Sequence, residues 1–515
     1  MMRSLALRML LVSLMLMGLA VVMVGNVTYG AQGECGRATA VKNAVANAIM
    51  VDAHGSMRKK IGAEYFGFNL VWTGFQRSHW HSSTQQIEPE IIEWMSAFPG
   101  AVYRYDSINS WRDTTGLTQN RPSRKVESWA APTVANFGYD EYLGFVAQVK
   151  GQAWVIANIS GVYEGELPAN VLASDAADWL LYSESKRLAG QPAVLRWELG
   201  NELDRGKNPW PPEKYAGNAS VVAKKMALTK AKPRFVAMLE DYDAFKGKTS
   251  SQYNRQVIQA LSPEIQDFAQ HLYYDGSPGG PPIPNRLGHL CKSIEDVYSV
   301  RPDIKPTFWI TEHARTPPGQ GSDWQKNWWR SVNLEGALGV ADMMIATTQV
   351  PEVQGVFLHS MEGTASPWPL FHRLPDGRLQ ASAVYYALSI LRSTLLDEVL
   401  QTKTESRWDS AYFGHYDFRS TVLTNAARNK YSVWSVNRNG IAIQPSLRIP
   451  ALAGKRLQAR VHVLADDDVN ATNAKIWSRL RPKSFDTELI FDATGKTLVT
   501  LPPYSVSAIS LAKVN

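Results

Sequence analysis

Eight short apolar runs recur through residues 60–395, and stretches of helical character separate them. The runs are "EYFGFNL" (64–70), "AVYRYDS" (101–107), "AWVIANI" (153–159), "VLRWELG" (194–200), "RFVAMLE" (234–240), "FAQHLYY" (268–274), "TFWITE" (307–312) and "GVFLHS" (355–360). Their apolar and aromatic content, followed by polar loop chemistry, predicts buried strands. Between them lie helix candidates such as "ASDAADWLLYSESKRLAG" and "NLEGALGVADMMIATTQ", the first opened by a Ser-Asp cap signal. Strands that alternate with helices predict a parallel sheet covered by helices. Eight of them predict a (β/α)8 barrel over residues 60–395, with its working end at the C-terminal rim of the strands.

Beyond residue 395 the pattern changes to short alternating runs with turn residues between them, such as "YSVWSVNRN", "ARVHVLA" and "SVSAISLA". This predicts an antiparallel β-sandwich over residues 396–515. Residues 32–59 hold one more strand-like piece, "NAIMVDA", placed to complete the sandwich or to cover the barrel floor. At the start, Arg3 and Arg8 precede a long apolar stretch that ends on the small residues Gly30 and Ala31. That is the pattern of a signal peptide over residues 1–31, which predicts a secreted or periplasmic protein, an uncleaved N-terminal anchor being the alternative. No later segment is apolar for long enough to span a membrane, so no integral membrane partner is expected.

Composition narrows the chemistry. The net charge of +7 is spread along the chain, and no run of Lys and Arg is dense enough for a nucleic-acid groove. Cys35 and Cys291 are too few for a Cys-based metal site or a disulfide framework, although export would permit one bridge. With no His-Glu-x-x-His pattern either, no metal and no cofactor are expected. The Gly-x-Ser-x-Gly elbow of ester and peptide hydrolases is also missing. Seventeen Trp and twenty Tyr suit a carbohydrate partner, because aromatic faces stack on the apolar faces of sugar rings.

The polar residues at the strand ends make a pattern. Strand four ends in Asn201–Glu202 and strand seven in Glu312. Strand two offers Arg104, and strand six offers His271 and Tyr273, which share a face because the side-chain period is two. Strand one offers Asn69 and Trp72, strand eight His359, and its loop Trp368. Strands four and seven face each other across an eight-stranded barrel, so two carboxylates can meet over the cavity. Cleavage of a glycosidic bond needs such a pair, one to protonate the leaving oxygen and one to meet the oxocarbenium-like centre. Arg104 would keep Glu312 ionised, and the Glu312 charge would raise the pKa of Glu202 and keep it protonated. The bland alternative for Arg104 is a salt bridge to Asp106. Glu198 shares the inward parity of Glu202 but lies deeper, which suits a structural network.

These motifs resemble clan A of the retaining glycoside hydrolases. "WELGNE" and "WITE" carry the resemblance, and the His-x-Tyr of "QHLYY" supports it over roughly residues 60–395. It implies that Glu202 is the acid/base and Glu312 the nucleophile, that Asn201 binds the hydroxyl next to the reacting carbon, and that Tyr273 hydrogen-bonds Glu312. "VLADDDVNATNAKIW" and "LPPYSVSAISL" are similar to the C-terminal sandwich of the α-L-arabinofuranosidase family, which implies release of α-L-arabinofuranosyl groups. "ELGNE" also occurs in relatives that cleave β-xylosides and β-glucuronides, including heparanase-like enzymes. His313 departs from the Trp or Gly common after the nucleophile in arabinofuranosidases, and His313 with Arg315 would suit a uronic acid. A carbohydrate-binding protein that has lost catalysis would normally lack one of the two carboxylates, and both are present.

Overall fold

The computed structural model describes residues 50–513 apart from 107–109, 126–130, 163–164, 207, 242–247, 276–282, 320–321, 363–366, 406–417 and 475–479. Residues 1–31, where a signal peptide is expected, and Cys35 lie outside the described residues.

All eight apolar runs are strands of one closed barrel. In chain order they are β1 (Phe66–Val71), β2 (Val102–Asp106), β3 (Gln152–Ala157), β4 (Val194–Leu199), β5 (Phe235–Met238), β6 (Ile265–Tyr274), β7 (Phe308–Arg315) and β8 (Val353–Leu358). Each pairs in parallel with its neighbours in sequence, and β8 closes the ring against β1. Every residue of β7 is buried, as expected of a parallel strand with helices on one face and packed lumen on the other. Helix α1 (Trp72–Ser78) follows β1 directly, α2 (Ala169–Leu188) lies between β3 and β4, and α3 (Leu334–Thr348) lies between β7 and β8. The Ser174–Asp175 pair expected to open α2 lies inside it, because the chain enters the helix earlier through Pro168. Asn333 caps α3, accepting from the Gly336 N–H at 3.0 Å.

The strand Met50–Lys60 and β9 (Glu398–Glu405), β10 (Phe418–Thr424), β11 (Tyr431–Asn437), β12 (Ser446–Arg448), β13 (Arg456–Ala465), β14 (Lys483–Ile490), β15 (Lys496–Leu498) and β16 (Ser505–Lys513) form a second unit. Its hydrogen bonding runs through all nine strands as one sheet, in the order β14-β13-β16-β11-β10-β9, Met50–Lys60, β12, β15. This is the separate β unit expected after the barrel, and it has a core of its own that includes Val51, Leu400, Val422, Val433 and Ile509. All pairings are antiparallel except that of Met50–Lys60 with β12.

Strands β10 and β11 are buried along their whole length because both faces are covered. Val422 and Val433 face the sheet's own core, while Leu423, Trp434 and Val436 join the barrel core. The Trp434 ring meets Phe66 of β1 edge-on at 6.1 Å. On the same barrel-facing side, Arg419 and Arg438 both bond Asp342 of α3, the latter at 3.0 Å. The sheet is thus fastened to the barrel by apolar area and by a buried ionic cluster.

Candidate active site

Arg104 is the hub of the barrel lumen. Strand alternation turns it inward on β2, where it is almost fully buried. Its Nε and Nη2 donate to Glu198 at 2.7 and 3.0 Å, and Nη1 donates to Glu312 and to Asn69, both at 2.8 Å. Nη2 also donates to the Asn201 side-chain oxygen at 2.7 Å. Glu198 accepts two further bonds, from Trp154 Nε1 at 2.7 Å and Thr311 at 3.2 Å, and so is the deep structural carboxylate expected from its parity. Asn69 spends its amide on the Thr311 and Leu358 carbonyls, tying β1 to β7 and β8. Arg104 makes no hydrogen bond to Asp106; its donors serve the carboxylates and amides above and beside it.

Glu202 lies in the turn just past β4, which ends at Leu199. The backbone enters the left-handed region at Gly200 (φ +80°) and again at Glu202 (φ +49°). A left-handed Glu costs about 1–2 kcal/mol, and such conformations persist where surrounding contacts over-determine them. Here the contacts are on one carboxyl oxygen. Glu202 Oε1 takes His271 Nδ1 at 2.8 Å and Arg205 Nη1 at 3.1 Å. Arg205 is itself held by Asp204 and Asp241 at 2.8 and 3.2 Å. Among the described residues, Oε2 of Glu202 takes no hydrogen bond and is open to a substrate.

Glu312 sits deeper: its side chain is 8% exposed against 33% for Glu202. Its Oε1 takes Arg104, and its Oε2 accepts from the Tyr273 hydroxyl at 2.6 Å. His271 Nδ1 lies 3.4 Å from that same oxygen, between the two carboxylates. Ligating atoms of Glu202, His271 and Glu312 all fall within 4.8 Å of one another. Those residue types could hold a cation, but the Arg104 guanidinium already supplies positive charge there. One side of the site is aromatic: Trp368 packs 4.8 Å from the Tyr273 ring and 5.5 Å from His359, with Trp324 5.8 Å behind it.

The electrostatics make Glu312 an anion. Burial pushes its carboxyl up, but the charges of His271, His359 and Arg104 and the Tyr273 hydrogen bond hold it well below the ordinary range. His359 is itself lowered by burial and neutral near pH 7, so His271 and Arg104 provide the effective charge. Glu202 departs from expectation. Burial and the Glu312 charge push it up, as the sequence suggested, but the hydrogen bond and charge of His271 and the charge of Arg205 outweigh them and leave it lowered. Burial pushes His271 down, yet the two carboxylates leave it raised. In the resting site the proton therefore belongs to the His271–Glu202 pair rather than to Glu202 alone.

The chain is similar to known proteins. An intracellular exo-α-(1→5)-L-arabinofuranosidase of Streptomyces lividans is 23% identical over 495 residues, covering 87% of this chain and 72% of that protein. The chain is a relative of the α-L-arabinofuranosidases. The α-L-arabinofuranosidase of Thermotoga maritima, solved with arabinose, matches with a TM-score of 0.70 at 17% identity, over 90% of this chain and 99% of that one. The family 51 enzyme of Bifidobacterium longum matches with a TM-score of 0.71 at 14% identity, over 91% and 100%. A bifunctional glucanase-xylanase from a metagenome library shares the fold at a TM-score of 0.58 and 11% identity, over 92% and 100%. Likeness at these identities speaks for the fold alone. No family model matches the chain.

In this relative of the arabinofuranosidases, Arg104, Asn201, Glu202, His271, Tyr273, Glu312, His359 and Trp368 converge on the mouth of the barrel. Two other expected residues offer a sugar little. Trp72 opens α1 and is 3% exposed within the core, leaving little ring face for a sugar. Asn69 is in the site, but its polar atoms are all used within the protein. His313 and Arg315 alternate outward from β7: His313 bonds the Tyr274 hydroxyl at 2.9 Å, and Arg315 pairs with Glu335 at 2.8 Å. Neither faces the cavity as a uronate contact would require. Sequence reasoning missed Arg205 and the lumenal position of Asp106. Parity with Arg104 on the same strand signals the second; nothing in the sequence signals that the turn brings Arg205 back onto Glu202.

Proposed function

We propose that the chain is a retaining glycoside hydrolase that releases terminal α-L-arabinofuranosyl groups from arabinose-bearing oligo- or polysaccharide. The observation that supports retention most is the carboxylate spacing: the oxygens of Glu202 and Glu312 come within 4.8 Å. Retaining enzymes hold their carboxyls about 5–5.5 Å apart, whereas inverting ones leave about 6.5–9.5 Å for a water. Glu312, ionised and oriented by Arg104 and Tyr273, attacks the anomeric carbon while the leaving oxygen takes a proton from Glu202. Glu202 receives that one proton from His271 along their hydrogen bond as it passes it on, so the pair is left as neutral His271 and a Glu202 carboxylate. Once the aglycone departs, Glu202 is a carboxylate, takes a proton from water, and the resulting hydroxide displaces Glu312 from the sugar.

The arabinofuranoside choice is supported by the Streptomyces lividans relative and by the C-terminal motifs, and by the outward turn of His313 and Arg315. The signal-peptide pattern of residues 1–31 supports action outside the cytoplasm. The test is kcat/KM for aryl α-L-arabinofuranoside, β-xyloside and β-glucuronide on one preparation. A clear preference for the arabinofuranoside is the expected result. A preference for either of the others overturns the sugar assignment while leaving the carboxylate pair in place.

A further inference from the structure

Among the described residues, Asp106 is a carboxylate at the mouth of the lumen that the two-carboxylate mechanism does not use. Asp106 is the last residue of β2, and the alternation that turns Arg104 inward turns Asp106 inward too, one layer nearer the rim. It lines a cavity of about 270 Å³ together with Ile156, Asn158, Gly200, Asn201 and Leu203. That volume lies just below the roughly 300–1,000 Å³ of sites for drug-sized ligands, and suits a single sugar ring. Asn201 spends its side-chain oxygen on Arg104, so its amide N–H groups remain for a ligand. Among the described residues, nothing hydrogen-bonds the Asp106 carboxylate. We propose that this cavity is a sugar subsite in which Asp106 accepts hydrogen bonds from substrate hydroxyls, and in which its charge turns away sugars that bear a carboxylate.

This rests on the glycosidase function proposed above and deepens it by naming the substrate class: neutral, hydroxyl-rich sugars. Asn201 in the wall of this cavity and Glu312 accept from the same Arg104 guanidinium, at 2.7 and 2.8 Å, which links the cavity to the reacting centre. Burial pushes the Asp106 carboxyl up, the Arg104 charge pulls it down, and Glu312, Glu198 and Glu202 push it up again, leaving it at about 6. The wall from β3, Ile156 to Ser160, adds no titratable group. Asp106 is thus ionised at neutral pH and becomes protonated as pH falls through about 6. Binding that depends on its anion is present above that pH and lost below it.

The experiment compares wild type with D106N and D106A on aryl α-L-arabinofuranoside, β-xyloside and β-glucuronide across pH 4–9. A hydrogen bond to a charged group is worth about ten- to hundredfold in binding. KM for the best neutral substrate is expected to rise by about tenfold or more in D106A, with kcat changed much less. The acid limb of kcat/KM near pH 6 should vanish in D106N, and the ratio of glucuronide to neutral-sugar hydrolysis should rise about tenfold. Unchanged KM, pH limb and selectivity in both variants, with wild type active, overturn the subsite and leave the glycosidase intact. If wild type cleaves none of the three, calorimetric titration with L-arabinose, D-xylose and D-glucuronate decides. Binding of a neutral sugar weakened in D106N then sustains the subsite alone. Binding equal in both proteins, or none to either, overturns it.

Discussion

At the residue scale, the site turns on how one oxygen of Glu202 is occupied. His271 and Arg205 both donate to Oε1, which leaves Oε2 to meet the leaving oxygen. Because His271 is raised and Glu202 lowered, the pair holds its proton above the ordinary imidazole range near 6.5. Activity on poor leaving groups is therefore expected to persist above that range and to fall only as the pair loses its proton. In H271N, Glu202 must hold the proton unaided, so the alkaline limb of kcat/KM should move to lower pH. An unmoved limb would show that His271 is not part of the proton relay. The two carboxylates should also separate kinetically. E312A should abolish turnover of every substrate, since no covalent step remains. E202A should slow unactivated substrates far more than aryl ones, and azide should rescue it with a glycosyl azide of unchanged configuration. Equal losses on both substrate types, with azide inert, would mean that the roles are misassigned.

At the element scale, β4 and its turn do most of the positioning. Gly200 stands at φ +80°, and a Cβ there would come within 2.9 Å of Leu203 Cδ1. G200A is expected to shift the turn and misplace Glu202, with a fall in kcat of about a hundredfold, the order that a 1 Å misplacement can cost. The loss should be larger for poor leaving groups, and a uniform loss would point to general unfolding instead. The eight strands were legible in the sequence because buried parallel strands are continuous apolar runs. Arg104, His271, Tyr273 and Glu312 were legible because strand parity carries them to the lumen. The sign of the Glu202 shift was not legible, since it depends on Arg205 folding back through a turn with two left-handed residues. Trp72 misled for the opposite reason: a residue just past a strand end resembles a rim residue, but here it starts a helix that buries it.

At the scale of the whole molecule, the nine-stranded sheet and the barrel share burial. Asp342 is fully buried on α3 and answers Arg419 and Arg438 from the sheet. D342A would take a shared buried anion from Arg419 and Arg438, leaving Arg438 the more distant Asp275 at 3.6 Å, and is expected to cost up to about 3–5 kcal/mol. Urea unfolding should register that loss, and a change under about 1 kcal/mol would show that the cluster is not what fastens the two units. All of this serves to hold two carboxylates at a fixed separation over the barrel mouth, which makes stereochemistry the most direct measurement. The anomeric proton of the first-formed sugar should be followed by NMR during early hydrolysis, before mutarotation. Product with the substrate's own configuration is expected if Glu312 forms a covalent intermediate. Product of inverted configuration would contradict it and place a water, not Glu312, at the anomeric carbon.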